Sequence, residues 1–164
     1  MKRRLIVIVA VVLVSVATFY LLWPRATVES VMEDFYCDDA GRAEDMLMDP
    51  LILHADLVKS RVIEEVAART MPKRRYAIGF LGVAGITDAL PVLRMILADE
   101  TEKGFFRADA LESIYQIAKE DGLALASQYQ SRTDHLGSIA KGLIDGSHKP
   151  LSRSYAQAVV GHHE

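Results

Sequence analysis

Arg74-Arg75-Tyr76-Ala77-Ile78-Gly79-Phe80-Leu81-Gly82-Val83-Ala84-Gly85-Ile86-Thr87-Asp88-Ala89-Leu90-Pro91-Val92-Leu93 is followed by Leu97-Ala98-Asp99-Glu100 and then by Arg107-Ala108-Asp109-Ala110-Leu111. At an offset of 33 residues Arg74 falls on Arg107, Ala77 on Ala110, Ile78 on Leu111, Leu81 on Ile114, Leu90 on Leu123 and Ile96 on Tyr129. A fixed offset of this size marks helix pairs stacked in series, each covering the apolar face of the one before. One period earlier Leu57 and Ile63 fall under Leu90 and Ile96; one period later Arg107, Ala110 and Leu111 fall on Ala140, Leu143 and Ile144. From Val28 onward apolar residues recur three and four apart, with no alternation long enough for a strand. The spacing predicts an all-α chain.

Outward from the repeat, the pattern predicts a helix over Val28 to Cys37 and a short one from Ala40 to Met48. Asp49-Pro50 then reads as a cap and first helical position. One long helix, or two with a bend, runs on to Arg69, and Pro72 opens the next. Gly82 and Gly85 supply the turn that ends the helix after it. Pro91 stands near the start of its partner, where a missing N–H costs little. Thr133 or Asp134 caps a helix with Leu136, Ile139, Ala140, Leu143 and Ile144 on one stripe, ending at Gly146. A last helix carries Tyr155, Ala156, Val159 and Val160, and these two are expected to cap the stack.

The quoted stretch resembles the short HEAT-like repeats of phycobilisome lyases and of many bacterial scaffold proteins, over about 45 residues of the 164. The resemblance implies a short right-handed α-solenoid, with Asp99 and Arg107 as the acid and arginine pair that ties adjacent repeats. No chromophore-binding residue carries over from it.

Residues 5–23, LIVIVAVVLVSVATFYLLW, hold 19 residues without a charge, after Met1-Lys2-Arg3-Arg4. As a helix the run spans about 28 Å, one hydrocarbon core. It reads as a transmembrane signal-anchor with residues 1–4 as a cytoplasmic basic tip, since the flanking cations lie on the amino-terminal side. Tyr20 and Trp23 suit an interfacial belt, and no small-residue cleavage site favours the rival, a cleaved signal. On this reading residues 24–164 form an extracytoplasmic, periplasmic domain of a single-pass inner-membrane protein, contacting the lipid bilayer through 5–23.

All 22 acidic residues lie beyond residue 23, and three of the 19 Lys and Arg precede it, so the remainder carries about −6. Acids crowd between Glu29 and Glu65, a balance that disfavours nucleic acid and suits a protein partner with a basic surface. Asp38, Asp39, Glu44 and Asp45, with the basic Lys73 and Arg75, are the candidate partner-binding residues. Cys37, the one cysteine, has no intramolecular disulfide partner and follows Phe35-Tyr36, so it is expected to be buried.

Reactive constellations are scarce. His162-His163-Glu164 sits on a terminus with no fixed geometry for a metal. His54 and Asp56 lie two apart and share no helical face, and Asp134-His135 reads as a cap and its neighbour. No phosphate loop, dinucleotide fingerprint or HExxH is present. Gly79, Gly82 and Gly85 fall in and at the end of a helix, which is packing. The sequence therefore points to no catalytic residues, no cofactor and no metal, and to a membrane-anchored protein-binding or scaffold module: an envelope-complex adaptor or an immunity-type binder. The alternative is an enzyme or subunit holding a small hydrophobic ligand in a cup lined by Phe105, Phe106, Tyr76 and Tyr115; a plain structural spacer is a third.

Overall fold

The computed structural model of the chain describes residues 25–37, 43 and 46–161. Thr27 opens α1 (Val28–Tyr36) with a reciprocal box: its hydroxyl accepts from Ser30 N at 3.1 Å, and Ser30 Oγ accepts from Thr27 N at 2.9 Å. Two of the orphan amides at the helix start are satisfied in this way. The expected helix over Ala40 to Met48 falls largely outside the described residues, and its end, Met46 to Met48, is a turn.

The next helix is broken where one long helix was an option. α2 (Asp49–Leu53) starts with Met48 rather than Asp49 at the cap and Pro50 in its first turn. His54, at φ −124° and ψ 31°, leaves helical geometry and serves as both the end of α2 and the cap of α3 (Ala55–Val66). α4 (Arg74–Val83) begins two residues after Pro72, because Lys73 takes a left-handed φ of 51°. It ends in a Schellman closure, with Gly85 N donating to Gly82 O and Ile86 N to Leu81 O, and Gly85 at φ +67°. Only a residue without Cβ takes that angle at little cost.

A 3₁₀ turn, Thr87–Ala89, leads into α5 (Leu90–Ala98), with Pro91 at its start as expected. α6 (Gly104–Ile117) and α7 (Lys119–Tyr129) are separated by Ala118 alone, which is bent out of the helix at φ −140°. α8 (His135–Asp145) is capped by Asp134, whose carboxylate accepts from Gly137 N at 3.1 Å, and it ends at Gly146 with φ +77°. α9 (Arg153–Gly161) completes nine α-helices among the described residues.

Successive helices pack as pairs. α6 is the hub, touching α4, α5, α7 and α8, and its apolar residues are accordingly buried on more than one side: Ala108, Ala110, Leu111 and Ile114. One contiguous core runs from Phe35 in α1 through Phe80, Leu81 and Leu93 to Leu136 in α8. α8 caps one end against α6 and α7, whereas α9 does not extend the stack as expected: it returns to α2 and α4. Val159 is buried there, and Tyr155 Oη donates to Asp49 Oδ1 at 3.1 Å.

The repeat is visible in side-chain roles. Arg74 and Arg107, one period apart, are both buried, and the Nε of each donates at 2.8 Å to a carbonyl at the end of an earlier helix, Val66 O and Leu97 O. Their guanidinium groups lie over Phe106 and Tyr129. The tie between repeats is therefore arginine to carbonyl; the Asp99–Arg107 pair implied by the HEAT-like resemblance is absent, since Asp99 bonds Arg69 instead. Gly82 also differs from expectation. It lies inside α4, where a Cβ would stand 2.7 Å from Ser113 Cα, so it admits α6 rather than making a turn.

The transmembrane helix expected from residues 5–23 falls outside the described residues, as does the tip at 1–4. Among the described residues no helix is long and apolar enough to cross a membrane. The fold is thus corrected to an all-α, solenoid-like packing of helix pairs with no preceding transmembrane helix in the described part. The single-pass inner-membrane topology, the periplasmic placement and the membrane-anchored module are set aside with it. Cys37 is exposed, not buried: it is the extended residue that follows α1, after the helix whose Phe35 enters the core.

Candidate functional site

The close crossing of α4 on α6 forms the floor of a groove. Gly82 permits the approach, and Ser113 locks it by donating from Oγ to Ile78 O at 2.9 Å. Asp109, Glu112, Ser113 and Gln116 stand at i, i+3, i+4 and i+7 on α6, one stripe of the helix. Opposite them α4 offers Arg75, Tyr76, Gly79 and Val83, while Met48 and Leu151 close the sides. The groove is open to solvent and its volume is about 410 Å³, enough for a small organic molecule.

Leu151 comes from the strap between α8 and α9. Three contacts hold that strap: His148 N donates to Gly142 O of α8 at 2.9 Å, and on α6 Gln116 Nε2 donates to Leu151 O and Glu112 meets His148 Nε2. Gly142 has to be a glycine for this, because a Cβ there would stand 2.6 Å from His148 Cβ.

Two carboxylates give the groove its electrostatics. Arg75 grips Asp109 side-on, Nε at 2.8 Å and Nη2 at 3.3 Å. Burial nevertheless pushes the Asp109 carboxyl above its usual range: Arg75 pulls it down, Glu112 adds to the upward push, and His135 opposes it. Glu112 lies 2.8 Å from His148 Nε2, and its side chain is about one-quarter exposed. Asp109 is thus neutralised by a permanent cation, whereas Glu112 faces an imidazole and keeps acceptor capacity toward the groove.

The sequence-predicted residues are dispersed. Asp38, Asp39, Glu44 and Asp45 lie outside the described residues, as do His162, His163 and Glu164. Lys73 Nζ donates to Phe35 O at 3.0 Å and Cys37 O at 2.7 Å, tying α1 to α4, and Arg75 holds Asp109. The two basic side chains are therefore used in joining helices. Of the aromatic residues assigned to a cup, Tyr76 lines the groove and Tyr115 a neighbouring recess. Phe106 packs under Arg74, and Phe105 is half-exposed beneath Lys103. No group of His, Cys, Asp and Glu that could hold a metal occurs among the described residues.

Sequence reasoning missed Asp109, Glu112 and His148 as a site. The signal was the polar stripe on α6, a helix too apolar elsewhere to lie at the surface; what hid it is the separation of 36 residues between Glu112 and His148.

The fold and the groove define an all-α protein of packed helix pairs with an amphipathic, carboxylate-bearing cleft. No family model, no curated protein and no solved structure matches the chain. The HEAT-like, phycobilisome-lyase-type resemblance is accordingly not a family membership. A basic-surfaced protein partner and a bilayer contact through 5–23 likewise find no support and are not carried further.

Proposed function

We propose that the chain is a binding protein for a small amphipathic organic cation, taken up in the groove between α4 and α6. The observation that carries this reading is Glu112, a carboxylate set in a cleft of about 410 Å³ whose walls include Met48, Tyr76, Val83 and Leu151. The apolar walls take the hydrocarbon part, and Glu112 accepts from the ammonium group in an environment drier than bulk water, where a charge-assisted hydrogen bond is stronger. The role is binding without catalysis, in keeping with the Ser113 hydroxyl being spent on Ile78 O.

Titration of the full chain with octylamine by calorimetry and by amide chemical shifts tests this. Saturable binding with shifts at Tyr76, Val83 and Leu151 is expected, and Glu112→Gln should weaken it by about tenfold, as for loss of a charged hydrogen bond. Absence of binding, or equal affinity in a Glu112→Gln protein of native circular dichroism, would overturn the proposal.

A further inference from the structure

Beside the groove lies a second recess of about 270 Å³, which shares Gln116 and Leu151 with it. Its other lining includes Tyr115, Lys119, Pro150 and Arg153. The sign of charge changes from one compartment to the next: in the groove Arg75 neutralises Asp109 and leaves Glu112, and the recess holds Lys119 and Arg153. Neither Lys119 nor Arg153 has a carboxylate partner among the described residues, although seven other arginine and lysine side chains among them are in ion pairs.

The two cations are held in place by the fold. Lys119 is the first residue of α7, set at the hub's end by the break at Ala118. Arg153 is the first residue of α9, and its guanidinium lies over Gly85, where a Cβ would stand 2.5 Å from Nη2. The left-handed glycine that ends α4 thus also makes room for this side chain. An arginine fork and a lysine converging on one recess match a carboxylate, which takes two parallel hydrogen bonds from the former and a point charge from the latter.

Glu112, Gln116 and Lys119 follow one another along α6 and into α7. At 1.5 Å per residue α6 rises about 7.5 Å from Glu112 to its last residue, Ile117, after which Ala118 breaks the helix and Lys119 opens α7. We infer that the groove and the recess form one two-ended site for a linear zwitterion, with its ammonium at Glu112, its carboxylate at Lys119 and Arg153, and an apolar chain passing beneath Leu151. This inference rests on the groove being a binding site, and it adds the identity of the ligand's other end. Both cations are exposed, so each contributes modestly in solvent, and together they are expected to tighten binding roughly five- to tenfold.

Calorimetry with octylamine, octanoate, ω-amino-octanoate and γ-aminobutyrate on the full chain decides it. The affinity ratio of ω-amino-octanoate to octylamine should be about five to ten in the wild type and collapse toward one in the Lys119→Ala/Arg153→Ala protein. Lys119→Glu, which reverses one charge at the surface, should bring the ratio below one. γ-Aminobutyrate, too short to reach both ends, should bind more weakly than ω-amino-octanoate by at least the same factor. A wild-type ratio of one, or a ratio that survives in the double variant, overturns the two-ended site while leaving octylamine binding, and hence the groove, intact. Failure of octylamine and ω-amino-octanoate alike to bind overturns both.

Discussion

Arg74 carries a charge where the helix pairs meet, with its side chain and that of Glu102 almost fully covered at 2.6 Å. Removing one member of such a pair strands the other in a medium that cannot solvate it, which costs about 3–5 kcal/mol. Arg74→Ala is therefore expected to lose that much in urea denaturation, and Arg74→Met combined with Glu102→Leu to recover most of it. The carboxylates differ in sign. Asp134 is brought down to about 2 by its bond from Arg132 and by Gly137 N, against roughly 3.9 in an unfolded chain. Its contribution to stability is full above pH about 4 and is lost as pH falls through about 2. Asp109 is shifted upward, chiefly by burial, so its protonated form is the one favoured by folding, and its contribution fades as pH rises through its folded value. A carboxyl-detected NMR titration should place Asp109 above Asp134, and Arg75→Ala should raise Asp109 further; a fall in that variant would refute the assignment.

Helix ends and crossings turn on three glycines with separate jobs. At Gly82 a Cβ would enter the backbone of α6, so Gly82→Ala is expected to cost about 1–3 kcal/mol through overpacking. At Gly85 the penalty is the positive φ, about 1 kcal/mol. Gly104, the first residue of α6, has nothing within 4 Å of a built Cβ, and Gly104→Ala should be neutral or stabilise by up to about 1 kcal/mol. Thermal melts of the three variants check that order. Spacing alone could place Gly85 at a helix end, because the apolar period stops there. It could not separate Gly82 from it, since the reason for Gly82 is Ser113, on a different helix. The break at His54 was one of two options the spacing left open, and its position was not legible; both pieces pack on α1 and α4, but α2 also meets the returning α9.

The path of the last helix decides the shape of the molecule and of its groove. Because α9 returns to α2 and α4, the strap before it crosses α6 and brings His148 to Glu112 and Leu151 to the groove. Deleting residues 147–164 should leave α4 to α8 folded, since α8 already covers α6 and α7, but should expose α2 and open the groove. Hydrogen exchange is expected to accelerate in α1 to α3 by at least tenfold and to change little in α6 and α8. Equal acceleration throughout would mean that the helices form a single cooperative unit, in which the returning helix holds no region in particular.

The all-α class, the positions of α1, α4, α8 and α9 to within a few residues, the start of α5, and the equivalence of Arg74 with Arg107 were legible in the chain, because apolar spacing, caps and a repeated residue act over a few turns of helix. The exposure of Cys37 was not legible. The arginine-to-carbonyl ties, the return of α9 and the meeting of Asp109, Glu112 and His148 were not legible. Each depends on contacts between residues tens of positions apart, and a polar stripe such as Asp109-Glu112-Gln116 has the same pattern whether it faces open water or a groove. Which of the two it faces is settled by what the rest of the chain lays across it.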